Sequence, residues 1–387
     1  MTIFEMLFRE DIYGIIEKTL EEYYKDVHGT DVSVRVQRNR LRNGFVIYPR
    51  LGVIVSRFPS AKIMKDVYSQ FNVQNSIIKK IVAWGYITLC FMTFGLLAPK
   101  SLWLSDKSIL KRSSYVLPCN RKLRIFNHSE GFVDAILKVG FNDAYFKKEI
   151  QYRSVPRFTF IPGLIQSGAR WYRERIIDGN ALVRLPEAEY KKVLNIVCED
   201  INEMYCDSLE YINAKDYCRP IAEFVHSKMD LLAQAKKVDT VGYIAGVVEK
   251  AMDLISDASI EIPVVMSHGD LQTGNMLIET ETSSVYIYDW ETVQRRSIWF
   301  DAGKLLLYSQ RKGKYAYMVN HRDESDVKSK ILYFDNRKDY SMDVVISVLV
   351  LEELQFFIEE ICDLPDAMGT EIMYRLTDEL KQTSLFA

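Results

Sequence analysis

A chain of 387 residues, 48% hydrophobic and 26% charged, carries enough apolar material for two or three packed domains and is not the composition of a disordered protein. Fifty basic against 52 acidic residues leave a net charge of -2, which excludes nucleic-acid binding through bulk charge. Six cysteines without a CxxC pair argue against a zinc or disulfide scaffold and suit a reducing cytosol, and the opening MTIFEMLFREDIYG turns acidic before a secretory signal develops.

Met6 to Lys25 reads as an amphipathic helix, Phe45–Ile47 and Val53–Val55 as a strand pair about Pro49 and Gly52, and Ala61 to Phe71 as a second helix. Ile81 to Ala98 follows, an uncharged, mostly apolar run of 18 residues flanked by Lys79, Lys80 and Lys100. A run of that kind is a buried helix, a peripheral membrane contact or a short span; Gly85, Thr88, Thr93 and Gly95 dilute it and favour the first. Residues 1–110 hold no chemical motif and are expected to form an α+β extension of unknown role, with residues 81–98 as its candidate membrane contact.

From Tyr115 the pattern changes to short alternating runs. Ser114–Pro118, Leu123–Phe126 and Phe132–Val139 read as three strands, with a turn at His128–Gly131 and Lys138 near the end of the third. Asp143–Arg153 is helical in pattern and carries Glu149; two further strands follow, Gly163–Gln166 and Trp171–Ile177, ending in Asp178-Gly179. Residues 111–180 are therefore expected to form a five-stranded sheet with one helix. Beyond Pro186 apolar residues recur at three- and four-residue spacing as far as Ser256, a strand–loop–strand block spans Pro263–Asp289, and the tail from Phe300 is helical, with Val344–Cys362 its most buried part. Residues 181–387 thus read as a mostly helical domain.

The chemistry concentrates in Ser267-His268-Gly269-Asp270-Leu271-Gln272-Thr273-Gly274-Asn275 and Val285-Tyr286-Ile287-Tyr288-Asp289-Trp290-Glu291. An aspartate, an asparagine five positions on and a second aspartate closing an apolar strand are the groups that phosphoryl transfer needs. Asp270 would orient the attacking hydroxyl, while Asn275 and Asp289 offer hard oxygen ligands to the Mg2+ that neutralises a triphosphate. Glu291 could face substrate or metal, or pair with Arg295 or Arg296. A basic stretch, Arg295, Arg296, Lys304, Arg311, Lys312 and Lys314, is either a solvated face or the lining of a cleft for an anionic acceptor.

These motifs resemble the aminoglycoside phosphotransferase and choline kinase group, with its H-G-D-x-x-x-x-N and I-D-W/F-E signatures, over roughly Tyr115 to Gln310. The resemblance implies a two-lobed protein-kinase-like α+β fold and an ATP- and Mg2+-dependent small-molecule kinase acting on a hydroxyl. It makes Asp270 the catalytic base, Asn275 and Asp289 the metal ligands, His268 a structural histidine and Asp301 a brace of the loop. It makes Lys138 the lysine on the α- and β-phosphates with Glu149 its helix partner, and Glu174-Arg175-Ile176-Ile177-Asp178-Gly179 the adenine hinge, with Glu174 and Ile176 the cofactor-binding positions there. No glycine-rich loop precedes Lys138; Pro118-Cys119-Asn120-Arg121-Lys122 stands in its place, so the phosphate grip falls to backbone amides or to Arg121 and Lys122.

The expected acceptor is a sugar or a saccharide-lipid in surface-polysaccharide metabolism, handled in the cytoplasm or at the inner face of the membrane. An aminoglycoside- or choline-type kinase is one rival, and a pseudokinase acting as a nucleotide-binding scaffold is another. A protein-substrate kinase is disfavoured by the missing arginine before Asp270 and the missing Ala-Pro-Glu anchor after Asp289.

Overall fold

The computed structural model describes all residues except 1–2, 9, 40–43, 72–76, 107, 235–239, 257–259, 308–312, 336, 338, 364–368, 384 and 387. They form an α+β protein of two compact units, Met1–Pro186 with Ile278–Tyr286, and Glu187–Leu277 with Ile287–Ala387.

The first unit opens with a short turn of helix, α1 (Ile3–Met6), and α2 (Ile12–His28). Asp11 caps α2, its Oδ1 accepting from Gly14 N at 3.2 Å, and Gly29 ends it at φ +66, where its N–H meets Lys25 O at 2.9 Å. The helix expected from Met6 therefore starts later, at the residue after its cap. Strands β1 (Val34–Arg38), β2 (Phe45–Tyr48) and β3 (Val53–Ser56) precede α3 (Ala61–Phe71) and α4 (Ile77–Met92), and β4 (Lys100–Leu104) follows. Then come β5 (Ser114–Pro118), β6 (Lys122–Asn127), β7 (Phe132–Leu137), α5 (Ala144–Arg153), β8 (Leu164–Ser167), β9 (Trp171–Arg175) and β10 (Gly179–Ala181).

Nine of these strands make one sheet in the order β1-β4-β2-β3-β5-β6-β7-β9-β8. The expected three strands, helix and two strands are its β5-to-β9 half, and β3 pairs antiparallel with β5, so residues 1–110 continue the same sheet. One face is covered by α2, whose Ile12, Ile16, Leu20 and Tyr23 pack on Ile54, Val116, Leu123, Ile136 and Trp171. On the other face Val46, Val53 and Val55 meet Ile63 and Val67 of α3 and Ile87 and Phe91 of α4.

The second unit begins with α6 (Glu187–Ser208), β11 (Glu210–Asn213), α7 (Ala214–Ser227), α8 (Met229–Gln234) and α9 (Val241–Ile255). Strand β12 (Glu261–Ser267) leads into the motif region, followed by β13 (Met276–Glu279) and β14 (Val285–Ile287), whose stretch Ile278–Tyr286 belongs to the first unit, and by β15 (Gln294–Ser297). Helices α10 (Ile298–Ala302), α11 (Lys314–Asn320), α12 (Ser325–Ile331), α13 (Met342–Asp363) and α14 (Gly369–Lys381) close the chain. Residues Val344–Ile346, Val348–Leu351 and Leu354 of α13 are all buried, so the first half of that helix is enclosed on every side rather than striped. Strand β12 sits between β11 and β15 in a three-stranded antiparallel sheet, so its end, Ser267, is fixed by pairing with Gln294.

Candidate active site

Strand β12 delivers the loop His268–Asn275, and Asp301 of α10 anchors it. The Asp301 carboxylate accepts from His268 N at 2.7 Å, Gly269 N at 2.9 Å and the Tyr205 hydroxyl at 2.9 Å, all in the interior. Gly269 sits at φ +84, and a Cβ there would lie 2.6 Å from Thr292 O and 2.3 Å from Arg296 Nη1, so the sharp turn into Asp270 requires glycine. His268 is wholly buried; its Nδ1 accepts from Asp270 N at 3.2 Å, which makes Nε2 the protonated nitrogen that donates to Tyr288 O at 2.8 Å. With both ring nitrogens committed to backbone, His268 holds the loop.

Asp270 and Asn275 are brought together. Asn275 Nδ2 donates to Asp270 O at 2.9 Å and to Asp270 Oδ2 at 3.0 Å, and Gln272 Nε2 reaches the same Oδ2 at 2.9 Å. Two acceptors on Nδ2 fix which way the amide faces, leaving Oδ1 as the atom Asn275 can offer a cation. The backbone closes the loop with Gln272 N on Asp270 O and Asn275 N on Gln272 O, each 2.9 Å. The loop is tied to the second motif where Tyr288 N donates to Asn275 O at 2.8 Å.

Asp289 follows in the left-handed region, φ +68 and ψ +51, a conformation that costs a non-glycine residue energy and is retained where the surroundings impose it. The Trp290 indole donates to Ile287 O at 2.6 Å and packs on the His268 ring, locking the turn. Carboxylate oxygens of Asp289 and Glu291 lie within 4.8 Å of each other. Asn275 Oδ1 and these carboxylates are the hard oxygen donors that Mg2+ prefers, so the donor set fits that ion. Glu291 was one candidate partner for Arg295 and Arg296; Arg295 instead pairs with Glu210, and Arg296 Nη1 donates to Thr292 O at 2.9 Å.

In the first unit the expected lysine pairing is not the one formed. Lys138 is fully buried on the α2 face, where its Nζ pairs with Glu10 Oε1 at 2.7 Å and meets Met6 Sδ at 3.7 Å. Glu149 of α5 pairs instead with Lys122 Nζ at 2.6 Å. The reason is strand alternation. Asp134 and Ile136 of β7 face α2, Asp134 accepting from Tyr23, and Lys138, two residues on, keeps that side. Lys122 pairs across the ladder with Leu137, one residue before Lys138 and therefore on the opposite face, beneath α5.

Lys122 and Glu149 belong to a buried network. Glu149 Oε1 also accepts from Arg153 Nη1 at 3.1 Å and the Tyr172 hydroxyl at 3.0 Å, and Arg153 Nη2 makes a short ion pair with Glu174. Burial alone would lower the Arg153 pKa, but Glu174, Tyr172 and Glu149 outweigh it and raise it, so the guanidinium stays charged. Burial raises the Tyr172 hydroxyl well out of the physiological range. Two cations thus face two carboxylates, and Glu174, expected at the hinge, uses its side chain in this network. The Ile176 N–H donates to Gly131 O at 2.9 Å, so what Ile176 can offer a nucleotide is its carbonyl. Thr280 N donates to Asp178 O at 2.9 Å, and Arg175 pairs with Glu279 at 2.9 Å, binding this segment to the β13–β14 hairpin.

The sequence reading missed Arg153, Tyr172, Gln272 and Thr292. Lys122 was legible: counting outward from the His128–Gly131 turn in hairpin register pairs it with Leu137. The basic stretch is not a single face: Arg295 is exposed and paired with Glu210, whereas Arg296 and Lys304 are interior. Arg296 lies buried over the Phe300 ring at 4.8 Å, and Lys304 is buried 3.9 Å from the Phe356 ring centre and 3.6 Å from Glu353. Arg311 and Lys312 lie outside the described residues.

No protein-family model and no curated protein matches the sequence. Among solved structures the fold is similar to an ethanolamine kinase from Plasmodium vivax, at 10% identity over 82% of this chain and 93% of that one, TM-score 0.47. It is similar to a choline/ethanolamine kinase family protein from Mesorhizobium loti, at 13% identity over 73% and 93%, TM-score 0.45. It is also similar to an aminoglycoside phosphotransferase from Streptomyces rimosus solved with ADP and streptomycin, at 13% identity over 62% and 92%, TM-score 0.40.

Proposed function

We propose that this chain is a small-molecule kinase that transfers the γ-phosphoryl group of ATP to a hydroxyl. The observation that carries the reading is the clasp in which the Asn275 amide binds both the backbone and the carboxylate of Asp270, presenting a proton acceptor and a metal-ligand oxygen from one loop. Asp270 would orient the acceptor hydroxyl and receive its proton as the new O–P bond forms and the bond from the γ-phosphorus to the bridging oxygen of the departing ADP breaks. Asn275, Asp289 and Glu291 would hold Mg2+, which when bound neutralises the phosphate charge. Lys122, placed by its ion pair with Glu149, is the residue we assign to the phosphates, in place of Lys138. Glu174 and Arg153 would set the orientation of Glu149, and the Ile176 carbonyl is the hinge group suited to an adenine amino group.

We infer a sugar or saccharide-lipid acceptor. The burial of Arg296 and Lys304 removes two charges from the argument for an anionic acceptor, and the support that remains is the exposed apolar surface of α4, which suits an enzyme whose acceptor is carried by lipid. A second reading, a nucleotide-binding pseudokinase, is favoured by the β5–β6 connection: Cys119 N donates to Lys122 O at 2.8 Å, closing a two-residue turn where a glycine-rich loop would cover phosphates. The test is Mg2+-dependent ATP turnover by the purified chain on sugars, amino sugars, aminoglycosides, choline and lipid-linked saccharides, with Asp270→Asn alongside. Turnover lost in the variant supports the kinase. ATP binding without turnover on any acceptor favours the pseudokinase, and absence of both ends the nucleotide reading.

A further inference from the structure

Helix α4 and the turn after it are the least covered apolar part of the described chain. Only Ile87, Cys90 and Phe91 of the helix are buried, against the sheet. Around the rest of its circumference Ile78 is 74% exposed, Ile81 66%, Trp84 55%, Leu89 53% and Met92 71%. A helix apolar all round is normally enclosed by protein or by lipid, and a contiguous apolar patch of this kind marks an interaction surface. The following turn extends the patch, with Leu96 and Leu97 outward at 64% and 52%.

That presentation is built in. Arg57 Nη1 donates to Phe94 O at 2.8 Å, and Asn39 Nδ2 donates to Gly95 O and Ala98 O at 2.7 and 2.8 Å. Gly95 stands at φ +76, with a Cβ position only 2.8 Å from Val46 Cγ1, so the turn is seated on β2 and has no room to fold its leucines inward.

The charge around the patch selects the occupant. From Ile77 to Pro99 there is no acidic residue, and Lys79 and Lys80 lie on α4 itself. Lysines beside an apolar face that carries a tryptophan are the composition of an interfacial helix on an anionic bilayer. Spanning is a different matter: among the described residues no helix is long and apolar enough to cross a membrane.

We propose that α4 and the turn Thr93–Leu97 form a monotopic docking surface for an anionic lipid bilayer, lying in the interface with Trp84 and Ile81 among the acyl chains and Lys79 and Lys80 at the headgroups. The proposal is independent of the kinase reading, because its readout is lipid binding and not turnover.

The test is co-sedimentation of the full chain with vesicles of phosphatidylcholine alone and of equal parts phosphatidylcholine and phosphatidylglycerol, with tryptophan emission followed in parallel. The chain is expected to pellet with the anionic vesicles and to shift its emission to the blue. Trp84→Ser with Ile81→Glu should remain in the supernatant, and Lys79→Ala with Lys80→Ala should weaken anionic-vesicle binding by roughly twenty-five-fold, about five-fold per lysine. All four side chains are wholly or partly exposed, and matching thermal melts would exclude unfolding as the cause. Equal binding by wild type and the Trp84/Ile81 variant would overturn the proposal. So would a wild-type chain that ignores both vesicles and sediments as a dimer that the same variant dissociates, since the occupant would then be a second copy.

Discussion

Replacing Lys122 and Lys138 separately by methionine distinguishes a phosphate-binding lysine from a structural one. Both are buried, and both pair with a buried carboxylate, at 2.6 and 2.7 Å. Removing one partner of such a pair costs about 3–5 kcal/mol because the other charge stays buried without compensation. For Lys138→Met the full penalty applies to Glu10, whose side chain is only 4% exposed. For Lys122→Met the abandoned Glu149 keeps Arg153 and the Tyr172 hydroxyl, so the cost falls to about 2 kcal/mol. The functional effects should run in the opposite order. Without Lys122 the network around Glu149 loses one positive charge, which disfavours a triphosphate, and kcat/KM for ATP should fall by about a hundred-fold or more. Urea denaturation and ATP-dependent steady-state kinetics on both variants measure the two effects. The assignment is refuted if Lys138→Met, at unchanged stability, raises KM for ATP while Lys122→Met leaves it alone.

Two further outcomes follow from the second unit. Burial raises the Glu352 pKa from 4.5 to about 7 against the hydrogen bonds from Ser297 and Tyr217, so the folded chain binds this proton more tightly than the unfolded one. Its contribution to stability is therefore neutral below pH 4.5 and becomes unfavourable as pH rises to 7, by up to about 3 kcal/mol. Glu352→Gln should consequently gain stability over wild type at pH 8 and none at pH 4.5, as read from urea midpoints; an equal gain at both would show that titration is not the cause. Gly269→Ala should displace the loop against Thr292 O and Arg296, lowering kcat by about a hundred-fold with little change in ATP affinity. Unaltered turnover in that variant would mean that the loop geometry is not catalytic.

The amino-acid sequence determined what depends on neighbours in the chain. The clasp within the loop from His268 to Asn275 is short-range: an aspartate, a turn and an asparagine five positions on lie within reach of each other, and the structure makes that clasp. The order of strands and helices from Ser114 to Arg175 was likewise legible, since alternation and helical spacing are short-range patterns. The tertiary structure decided what depends on register and enclosure. A strand turns its side chains to opposite faces residue by residue, so whether Lys138 or Lys122 meets Glu149 is settled by cross-strand pairing of β6 with β7 and by which helix covers each face. Composition cannot say which cations are buried, and Arg296 and Lys304 proved to be interior groups over aromatic rings. The run at Ile81–Ala98 shows the same limit from the other side. Its apolar character was plain, but only packing shows that a single stripe of α4 is buried while Ile78, Ile81 and Met92 stay exposed, because burial is a property of the neighbours and not of the residues.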